Sequence, residues 1–307
     1  MTAPIPNLRI AALLTCHNRR EKTLACLRSL RAQSAPMGNR ELGIGNSLDK
    51  QIFSGSALSM EPSAFSPGRY TIDVFVVDDG STDGTADGVR EVWPGAMVIP
   101  GSGSLFWCGG MRVAWEAAAK TDPDYYLLLN DDTVIVPHAV SELLALAGSP
   151  TELAIAVAPI SDPDTGEVVF GGHLGHASHP VPPSGRTVVC DTMNANCTLV
   201  TRAVFQRIGM FHSAYTHAMG DFDYGFLATR SGVRVLQAGR VLGTSKPNAE
   251  VRTWRDRSLT RLERLRLLWF NPKGLPFLEW MVYNRRNRGL SWPIRTVSPA
   301  VRVMLGR

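Results

Sequence analysis

The sequence predicts an α/β fold built around a largely parallel β-sheet. In the first half of the chain, apolar runs of strand length alternate with segments whose apolar residues recur at helical spacing, which is the pattern of βαβ units. The crossovers of such units are right-handed. With 307 residues, of which 44% are hydrophobic and 19% charged, the chain can bury a full core as one large domain or two small ones.

The first strand and helix are predicted from residues 8–31. Residues 8–15 (LRIAALLT) indicate a buried strand that ends in the polar residues 16–20 (CHNRR). In residues 21–31 leucines recur at positions 24, 27 and 30, which predicts a helix. The pattern stops in residues 34–69, where Ser, Gly and Pro are frequent, and we expect a mobile surface insertion there.

Two further strands follow this segment. Residues 72–77 (IDVFVV) predict a strand that leads into residues 78–85 (DDGSTDGT), where Asp, Ser and Thr are suited to cap a helix. After a short apolar stretch, the glycine-rich residues 101–110 open onto another helix. Residues 125–129 (YYLLL) predict a strand that ends at residues 130–132 (NDD), and Pro137 suits the first turn of the next helix.

The second half of the chain has a less regular pattern. It predicts a strand at 154–159, a Gly-, His- and Pro-rich loop at 161–186, a strand-like run with a polar middle at 191–200, helices at 203–208 and 224–230, and a short strand at 233–237.

Cysteine usage and the N-terminus indicate the compartment. The five cysteines are odd in number, scattered and without a CxxC pair, which argues against a disulfide framework and a structural zinc site; we expect reduced thiols packed as small hydrophobes. No apolar window approaches the roughly 18 residues of a spanning helix, and no secretory signal is recognisable at the N-terminus. We expect a cytoplasmic protein that is not integral to a membrane.

Three predicted strands end in polar clusters, at residues 15–19, 78–83 and 130–132. In an open parallel sheet, ligands bind outside the carboxyl ends of the strands. Adjacent acids at such a point suit a hard divalent cation, Mg²⁺ or Mn²⁺, which keeps waters and substrate phosphates as its other ligands; the simpler alternative is that they cap a helix or solvate a turn. The first strand is followed neither by GxGxxG nor by GxxxxGK[ST], which argues against NAD binding and a phosphate loop.

At this point the chain resembles a known family. Residues 9–240 are similar to family 2 glycosyltransferases of the GT-A fold, the nucleotide-sugar-dependent group that includes bacterial rhamnosyltransferase-like enzymes of surface polysaccharide synthesis. The resemblance is carried by residues 15–19 (TCHNR), 76–85 (VVDDGSTDGT), 128–133 (LLNDDT), 193–197 (MNANC) and 220–223 (GDFD). It implies a catalytic domain over residues 1–250 with a Rossmann-like, mostly parallel sheet flanked by helices, and leaves residues 251–307 as an extension.

The resemblance also implies a donor site. The residues that it places against the nucleotide or the donor sugar are Thr15, Asn18, Arg19, Asp78, Asp79, Trp107 and Asp131. Asp132 would be the direct ligand of an Mg²⁺ or Mn²⁺ ion bridging the diphosphate, because the cation stabilises the charge of the departing nucleoside diphosphate. For Trp107 the alternative is packing into the core.

Asp221 is, by the same resemblance, the general base that takes the proton of the acceptor hydroxyl. Asn194, Asn196 and Asp223 would contact the acceptor, although the asparagines could equally satisfy buried backbone groups and Asp223 could favour its helix N-terminus by charge alone.

The chain departs from the family at two points. Gly220 stands where the family has Glu, and residues 239–247 (GRVLGTSKP) lack the His that many relatives use as a further metal ligand. The nearby His212 and His217 are weak substitutes, and we expect His173, His176 and His179 in a solvated loop rather than a zinc site.

The C-terminal extension, residues 251–307, holds 13 Lys/Arg and 3 Asp/Glu interleaved with aromatic residues, although the whole chain has a net charge of only +5. This composition suits the surface of an anionic membrane. It equally suits helices whose aromatics pack on the catalytic domain while the arginines stay solvated. We do not expect nucleic acid.

Taken together, the sequence predicts an inverting glycosyltransferase that moves a sugar from a nucleoside-diphosphate donor, of the UDP or dTDP type, to a saccharide or lipid-linked saccharide hydroxyl in surface polysaccharide or glycolipid synthesis. Two alternatives stay open: a nucleotidyltransferase that makes the sugar nucleotide, and a noncatalytic sugar- or membrane-binding module of the same fold.

Overall fold

A computed structural model describes residues 7–34, 69–247 and 252–306. The insertion predicted at 34–69 therefore lies outside the described residues, except at its two ends. The strands are β1 (Leu8–Cys16), β2 (Tyr70–Asp78), β3 (Met97–Pro100), β4 (Tyr125–Leu129), β5 (Val134–Ile135), β6 (Ala154–Val157), β7 (Ile160–Ser161), β8 (Val168–Phe170), β9 (Gly172–His173), β10 (Val188–Cys190), β11 (Thr192–Met193), β12 (Cys197–Thr201), β13 (Arg234–Gln237) and β14 (Gly243–Thr244).

Helices connect and flank these strands. They are α1 (Arg20–Arg31), α2 (Thr85–Val92), α3 (Phe106–Ala119), α4 (Ala139–Ala147), α5 (Arg202–Ile208), α6 (Gly220–Arg230), α7 (Arg261–Phe270), α8 (Phe277–Asn287) and α9 (Trp292–Met304), with short 3-10 helices at Ala32–Ser34 and Gly289–Ser291.

The central sheet has eight strands in the order β10-β13-β6-β12-β4-β1-β2-β3. Strands β3, β2, β1 and β4 run parallel to one another, and β6 pairs in parallel with β13. Strand β12 is antiparallel to both of its neighbours, and β10 is antiparallel to β13. The mostly parallel sheet predicted from the alternating pattern is therefore confirmed.

Each face of the sheet buries its own apolar cluster. Side chains alternate along a strand, so Ile10 and Leu14 of β1 pack on one face while Ala11 and Leu13 pack on the other. Helices α1 and α4 cover the first face; α3 and α6 cover the second, where Trp115 is fully buried. The five cysteines are buried free thiols, as predicted.

The C-terminal extension is helical, as expected, and packs on the catalytic domain. Helix α8 contacts α6 and α9, while α7 contacts α9. Tyr283 of α8 is buried in the second apolar cluster. Helix α7 begins with a capping box, because Thr260 Oγ1 accepts from Glu263 N and the Glu263 carboxylate accepts from Thr260 N. Nowhere in residues 7–34, 69–247 or 252–306 is a helix long and apolar enough to cross a bilayer.

Four local predictions were wrong. Helix α4 begins after Pro137, because His138 adopts a left-handed φ of 67°. Gly109 and Gly110 belong to α3 instead of the preceding loop. The predicted loop at 161–186 contains β8, which pairs with the nearby β7, and β9, which pairs with β11 about twenty residues later. The run at 191–200 is split into β11 and β12 by residues 194–196.

Candidate active site

The carboxyl ends of β1, β2 and β4 meet at one edge of the sheet and bring the three polar clusters together. Strand β1 lies between the other two, with Cys16 opposite Asp78 in the β1–β2 register. Arg19, which follows β1, reaches the acidic pair that follows β4. This edge is therefore the candidate active site.

Asp131 and Asp132 share one arginine. Nη1 of Arg19 lies 2.8 Å from Asp132 Oδ2 and 3.5 Å from Asp131 Oδ1, and the two acidic side chains are only 8% and 9% exposed, respectively. Thr23 Oγ1 also donates to Asp131 Oδ2 at 3.3 Å. Burial raises the pKa of Asp131 to about 6, since the loss of hydration outweighs the favourable charge of Arg19. The pair is thus a desolvated anionic site held by a cationic side chain.

A hydroxyl lies near the position for which the family supplies a histidine. Ser245 Oγ donates to Asp132 Oδ1 at 3.3 Å, directly after β14. Within the described parts of the chain, no group of three or more His, Cys, Asp or Glu side chains is placed to hold a metal ion. Two carboxylates beside a hydroxyl still fit Mg²⁺ or Mn²⁺, which need few protein ligands when substrate phosphates and waters complete the shell.

Asp79 organises the glycine-rich loop. Its carboxylate accepts from the backbone N–H of Gly103 at 2.7 Å and of Phe106 at 2.9 Å. Phe106 has a left-handed φ of 53°, and the bond to Asp79 secures this strained start of α3. Gly101 must lack a side chain, because a Cβ there would lie 2.8 Å from Asp79 Cα. Both oxygens of Asp79 are therefore engaged by the main chain, and its nucleotide contact stays a prediction.

Asp78 and Asn18 also hold loops at this edge. Asp78 Oδ1 accepts from Ser81 N at 2.9 Å. Asn18 Oδ1 accepts from Thr82 N at 2.8 Å, and Asn18 N donates to Ser81 Oγ at 3.0 Å. The Asn18 bonds tie the loop after β1 to the loop after β2, while the Asp78 bond closes the loop after β2 on itself. Both residues thereby shape the predicted nucleotide pocket.

Thr15 lies beneath α3 at the end of β1. It is buried, and a Cβ at Gly110 would overlap its hydroxyl. The glycine therefore allows α3 to approach the strand closely. A direct contact between Thr15 and a nucleotide stays a prediction.

The sequence left open whether Trp107 contacts the donor sugar or packs into the core. Its ring is partly buried and lies 5.4 Å from the Phe211 ring, centroid to centroid. Its indole Nε1 donates to Asn130 Oδ1 at 2.7 Å, which fixes the residue directly before the acidic pair. Trp107 thus packs against the core and orients the site; stacking on a sugar stays a prediction.

Asp221 occupies the first turn of α6 and faces the 193–197 segment. Its Oδ1 accepts from Phe222 N at 2.9 Å and its Oδ2 from Ala195 N at 3.2 Å. Burial raises the pKa of Asp221 above its ordinary value, against the effect of these two bonds. A raised pKa strengthens a carboxylate as a base, so the environment suits the predicted role.

Gly220 is explained by packing. A Cβ at this position would overlap Cys108 Sγ of α3. Any side chain, a Glu included, would push α6 away from α3. The departure from the family pattern therefore reflects the close approach of two helices and leaves Asp221 in place.

Asp223 requires a correction. The sequence places it against the acceptor, but it is buried beneath α8, where its carboxylate accepts from Arg286 Nε at 2.9 and 3.0 Å and from Asn287 Nδ2 at 2.7 Å. We assign it to the attachment of the extension. The partner could not be read from the sequence because it lies 63 residues away.

The residues between β11 and β12 link the acidic pair to Asp221. The backbone carbonyl of Asn196 accepts from Asn130 N at 2.9 Å, and Ala195 N donates to Asp221. Asn194 Oδ1 lies 2.8 Å from His173 Nε2. The acidic pair and Asp221 therefore border one connected network; acceptor contacts by Asn194 and Asn196 stay predictions.

The expected solvated histidine loop was wrong for His173, which belongs to β9 and is buried. His176 instead contacts the extension, with Nε2 3.0 Å from the Asn287 carbonyl oxygen.

The sequence reasoning missed Ser245 and the electrostatic role of Lys273. Burial lowers the pKa of His217 to about 4, and the nearby charges of Lys273 and Arg19 lower it further in the same direction. Lys273 belongs to the extension, so a cation from residues 252–306 acts on the same region as Arg19. The basic composition of the extension was the only signal of this in the sequence.

Comparisons with known proteins agree on the family. Residues 58–209 match the sequence profile of glycosyl transferase family 2. The N-acetylglucosaminyl-diphospho-decaprenol L-rhamnosyltransferases of two Mycobacterium tuberculosis strains are 25% identical over 193 residues, which cover 52% of this chain. The match spans 62% of the length of these relatives.

Solved structures show the same fold. A mannosyltransferase from Pyrobaculum calidifontis, in complex with GDP-Man and Mn²⁺, is 12% identical with a TM-score of 0.55 and covers 99% of this chain and 75% of its own. GalNAc-T7 with UDP, GalNAc and Mn²⁺ is 12% identical with a TM-score of 0.53 and covers 97% of this chain and 56% of its own. The architecture is therefore that of GT-A glycosyltransferases.

Proposed function

Because this chain belongs to family 2 of the glycosyltransferases, we propose that it transfers a sugar from a nucleoside-diphosphate sugar to a hydroxyl of a saccharide or lipid-linked saccharide, with inversion at the anomeric carbon. The observation that carries this proposal is the connected network that joins Asp132 and Arg19 to Asp221 through Asn130 and residues 195–196. In this proposal the network joins the diphosphate site to the half-buried carboxylate of the base. We assign the reaction to surface polysaccharide or glycolipid synthesis.

The donor end of the site would be formed by Arg19 and the acidic pair. Asp131 and Asp132 would hold Mg²⁺ or Mn²⁺, which supplies Lewis-acid stabilisation of the leaving diphosphate when bound. Arg19 pairs with both acids, and the diphosphate of a bound donor would offer it a further anionic partner. The Mn²⁺ named with both structural neighbours supports a divalent cation for this site.

At the acceptor end, Asp221 takes the proton. The acceptor oxygen forms a bond to the anomeric carbon as the bond between that carbon and the phosphate oxygen breaks. The electron pair of the broken bond leaves with the nucleoside diphosphate, and the hydroxyl proton ends on Asp221. The backbone N–H groups of Phe222 and Ala195 hold the carboxylate in one orientation for this step.

The names of the mycobacterial relatives support a lipid-linked acceptor and a deoxysugar donor, since they specify L-rhamnosyl transfer to a diphospho-decaprenol-linked sugar. The family match favours transfer over sugar-nucleotide synthesis. The steric origin of Gly220 removes the main reason for considering a noncatalytic module.

The experiment is a transfer assay with UDP-, dTDP- and GDP-sugars and a polyprenyl-diphosphate-linked acceptor, comparing the chain with Asp221→Asn. We expect product from the unmodified chain and a loss of at least a hundredfold in Asp221→Asn with donor binding retained. The matched control is Asp87→Asn, at an exposed acid of α2, which should transfer normally. Equal transfer by Asp221→Asn would contradict the assignment of the base.

A further inference from the structure

The C-terminal extension exposes an apolar surface that residues 7–34 and 69–247 of the catalytic domain do not cover. In α9 and the residues before it, Leu290 is fully exposed and Ile294 is 72% exposed; in α7, Phe270 is 82% exposed. Large side chains exposed in this way, when contiguous, indicate an interaction site.

In α9 the exposed residues form one face. Ile294, Val297, Val301 and Met304 follow one another at intervals of three and four residues, which places them on a single side of the helix. Thr296 and Val303, on the opposite side, are buried against the protein. The apolar face of α9 therefore points directly away from the domain.

Helix α7 continues this surface. A groove of about 780 Å³ runs between α7 and α9, lined by Leu265, Trp269 and Phe270 from one helix and Met304 from the other. The exposed Arg266 also lines this groove. The two helices thus present one continuous apolar surface with a cationic group inside it.

Arginines border the same surface. Arg295 and Arg302 are exposed and directly follow Ile294 and Val301, so they lie along one edge of the apolar face of α9. Residues 252–306 contain 12 Lys/Arg against 3 Asp/Glu. Aliphatic stems buried beside apolar side chains, with guanidinium groups at the level of phosphates, are the usual arrangement of a helix lying in a membrane interface.

We propose that α7 and α9 dock on an anionic bilayer, with Phe270 and Ile294 inserted among the acyl chains and Arg266, Arg295 and Arg302 against lipid phosphates. The positive charge of this surface favours an anionic bilayer over a second copy of the chain, because two copies facing each other would bring their arginines together. The proposal stands without the proposed function, although it would bring the site to a lipid-linked acceptor.

The test is co-sedimentation of the full chain with vesicles made of equal parts phosphatidylglycerol and phosphatidylcholine, and with vesicles of phosphatidylcholine alone. We expect binding to the anionic vesicles that weakens as salt is raised. Arg295→Gln with Arg302→Gln should lower the partition coefficient roughly thirtyfold, from about one kcal/mol for each arginine. Phe270→Gln with Ile294→Gln should lower it on the order of a hundredfold.

Matched controls change exposed residues elsewhere. Arg28→Gln with Lys120→Gln removes two exposed charges, and Met97→Gln with Val189→Gln removes two exposed apolar side chains. Both control variants should bind vesicles normally. The proposal would be overturned by equal loss in the controls, by no binding to anionic vesicles, or by a dimer in sedimentation equilibrium that Phe270→Gln with Ile294→Gln dissociates. Neither arm needs a sugar donor, so failure here is distinct from failure of the transfer assay.

Discussion

The single Nε–H of Arg286 in α8 is shared between the two carboxylate oxygens of Asp223, which lies in the first turn of α6, two residues from Asp221. The Asp223 side chain is 2% exposed and Arg286 30% exposed, so the pair is largely shielded from water. The extension is therefore fastened to the same helical turn that carries the proposed base. Its attachment and the geometry of the site depend on one another.

Removal of Arg286 should destabilise the protein. Arg286→Ala leaves the Asp223 carboxylate buried without its cationic partner, although Asn287 still donates to it, and breaking a buried pair in this way costs about 3 kcal/mol. Urea unfolding measures the change. Arg285→Ala, at the exposed neighbouring position of α8, should change stability by less than about 0.5 kcal/mol. Equal effects of the two variants would show that the ion pair contributes nothing specific.

Arg19 should have opposite effects on two ligands. Arg19→Gln removes the positive charge that Asp131 and Asp132 share, so Mn²⁺ alone should bind about tenfold more tightly, while a nucleoside diphosphate loses a charged partner and should bind about tenfold more weakly. Calorimetric titration measures both affinities. Arg20→Gln is the control, because its ion pairs involve the exposed Glu21 and Glu91. Parallel changes in both affinities would contradict this assignment.

Substitution of Gly220 tests whether packing against α3 fixes the first residue of α6. Gly220→Ala places a methyl group against Cys108 Sγ and should cost about 1 to 3 kcal/mol. In a Cys108→Ala background the nearest atoms would be Tyr215 Cβ at 3.6 Å and the residue 108 Cβ at 3.7 Å, which are ordinary contacts. There the same substitution should be neutral or stabilising by up to about 1 kcal/mol, since Ala favours helices. The unfolding free energies of the unmodified chain, the two single variants and the double variant complete a double-mutant cycle. A cost of Gly220→Ala that is unchanged in the Cys108→Ala background would rule out the steric explanation.

The sequence identified the elements whose pattern is local. Strand β4 is a continuous apolar run, and β1 and β2 become apolar and buried after Arg9 and Asp73, because both faces of the sheet are covered there; α1 shows its leucines at helical spacing. Their polar ends predicted that three clusters meet at one edge of the sheet, and the structure brings these clusters together there. The start of α3 was misplaced because its first turn is held by Asp79, a residue 27 positions earlier.

Contacts between segments that are distant in the sequence could not be predicted from local patterns. Asp223 looks like a residue at a helix N-terminus, and only folding brings Arg286 to it. His173 looked solvated because strands of two or three residues carry no period, yet pairing with β11 buries it. Ser245 was unremarkable until the fold placed its hydroxyl beside Asp132.

His217 should make stability depend on pH. Its folded-state pKa of about 4 lies below the ordinary 6.5, so between these values the unfolded chain binds a proton that the folded protein does not. Stability should therefore fall as pH is lowered from 6.5 towards 4. Unfolding free energies at pH 7 and pH 5 should differ less in His217→Gln than in the unmodified chain. An identical pH dependence would contradict burial of the neutral imidazole.

The central claim, a cation-assisted nucleotide site at Asp132, is tested most directly by thermal shift with UDP, dTDP, GDP and CMP, each with and without Mn²⁺, on the unmodified chain and on Asp132→Ala. A ligand at 100 times its Kd adds about 2.7 kcal/mol to the folded state, which raises Tm by several degrees in a chain of this size. We predict an Mn²⁺-dependent rise with one nucleotide that Asp132→Ala abolishes. No rise with any nucleotide, or the same Mn²⁺-dependent rise in Asp132→Ala, would contradict the claim.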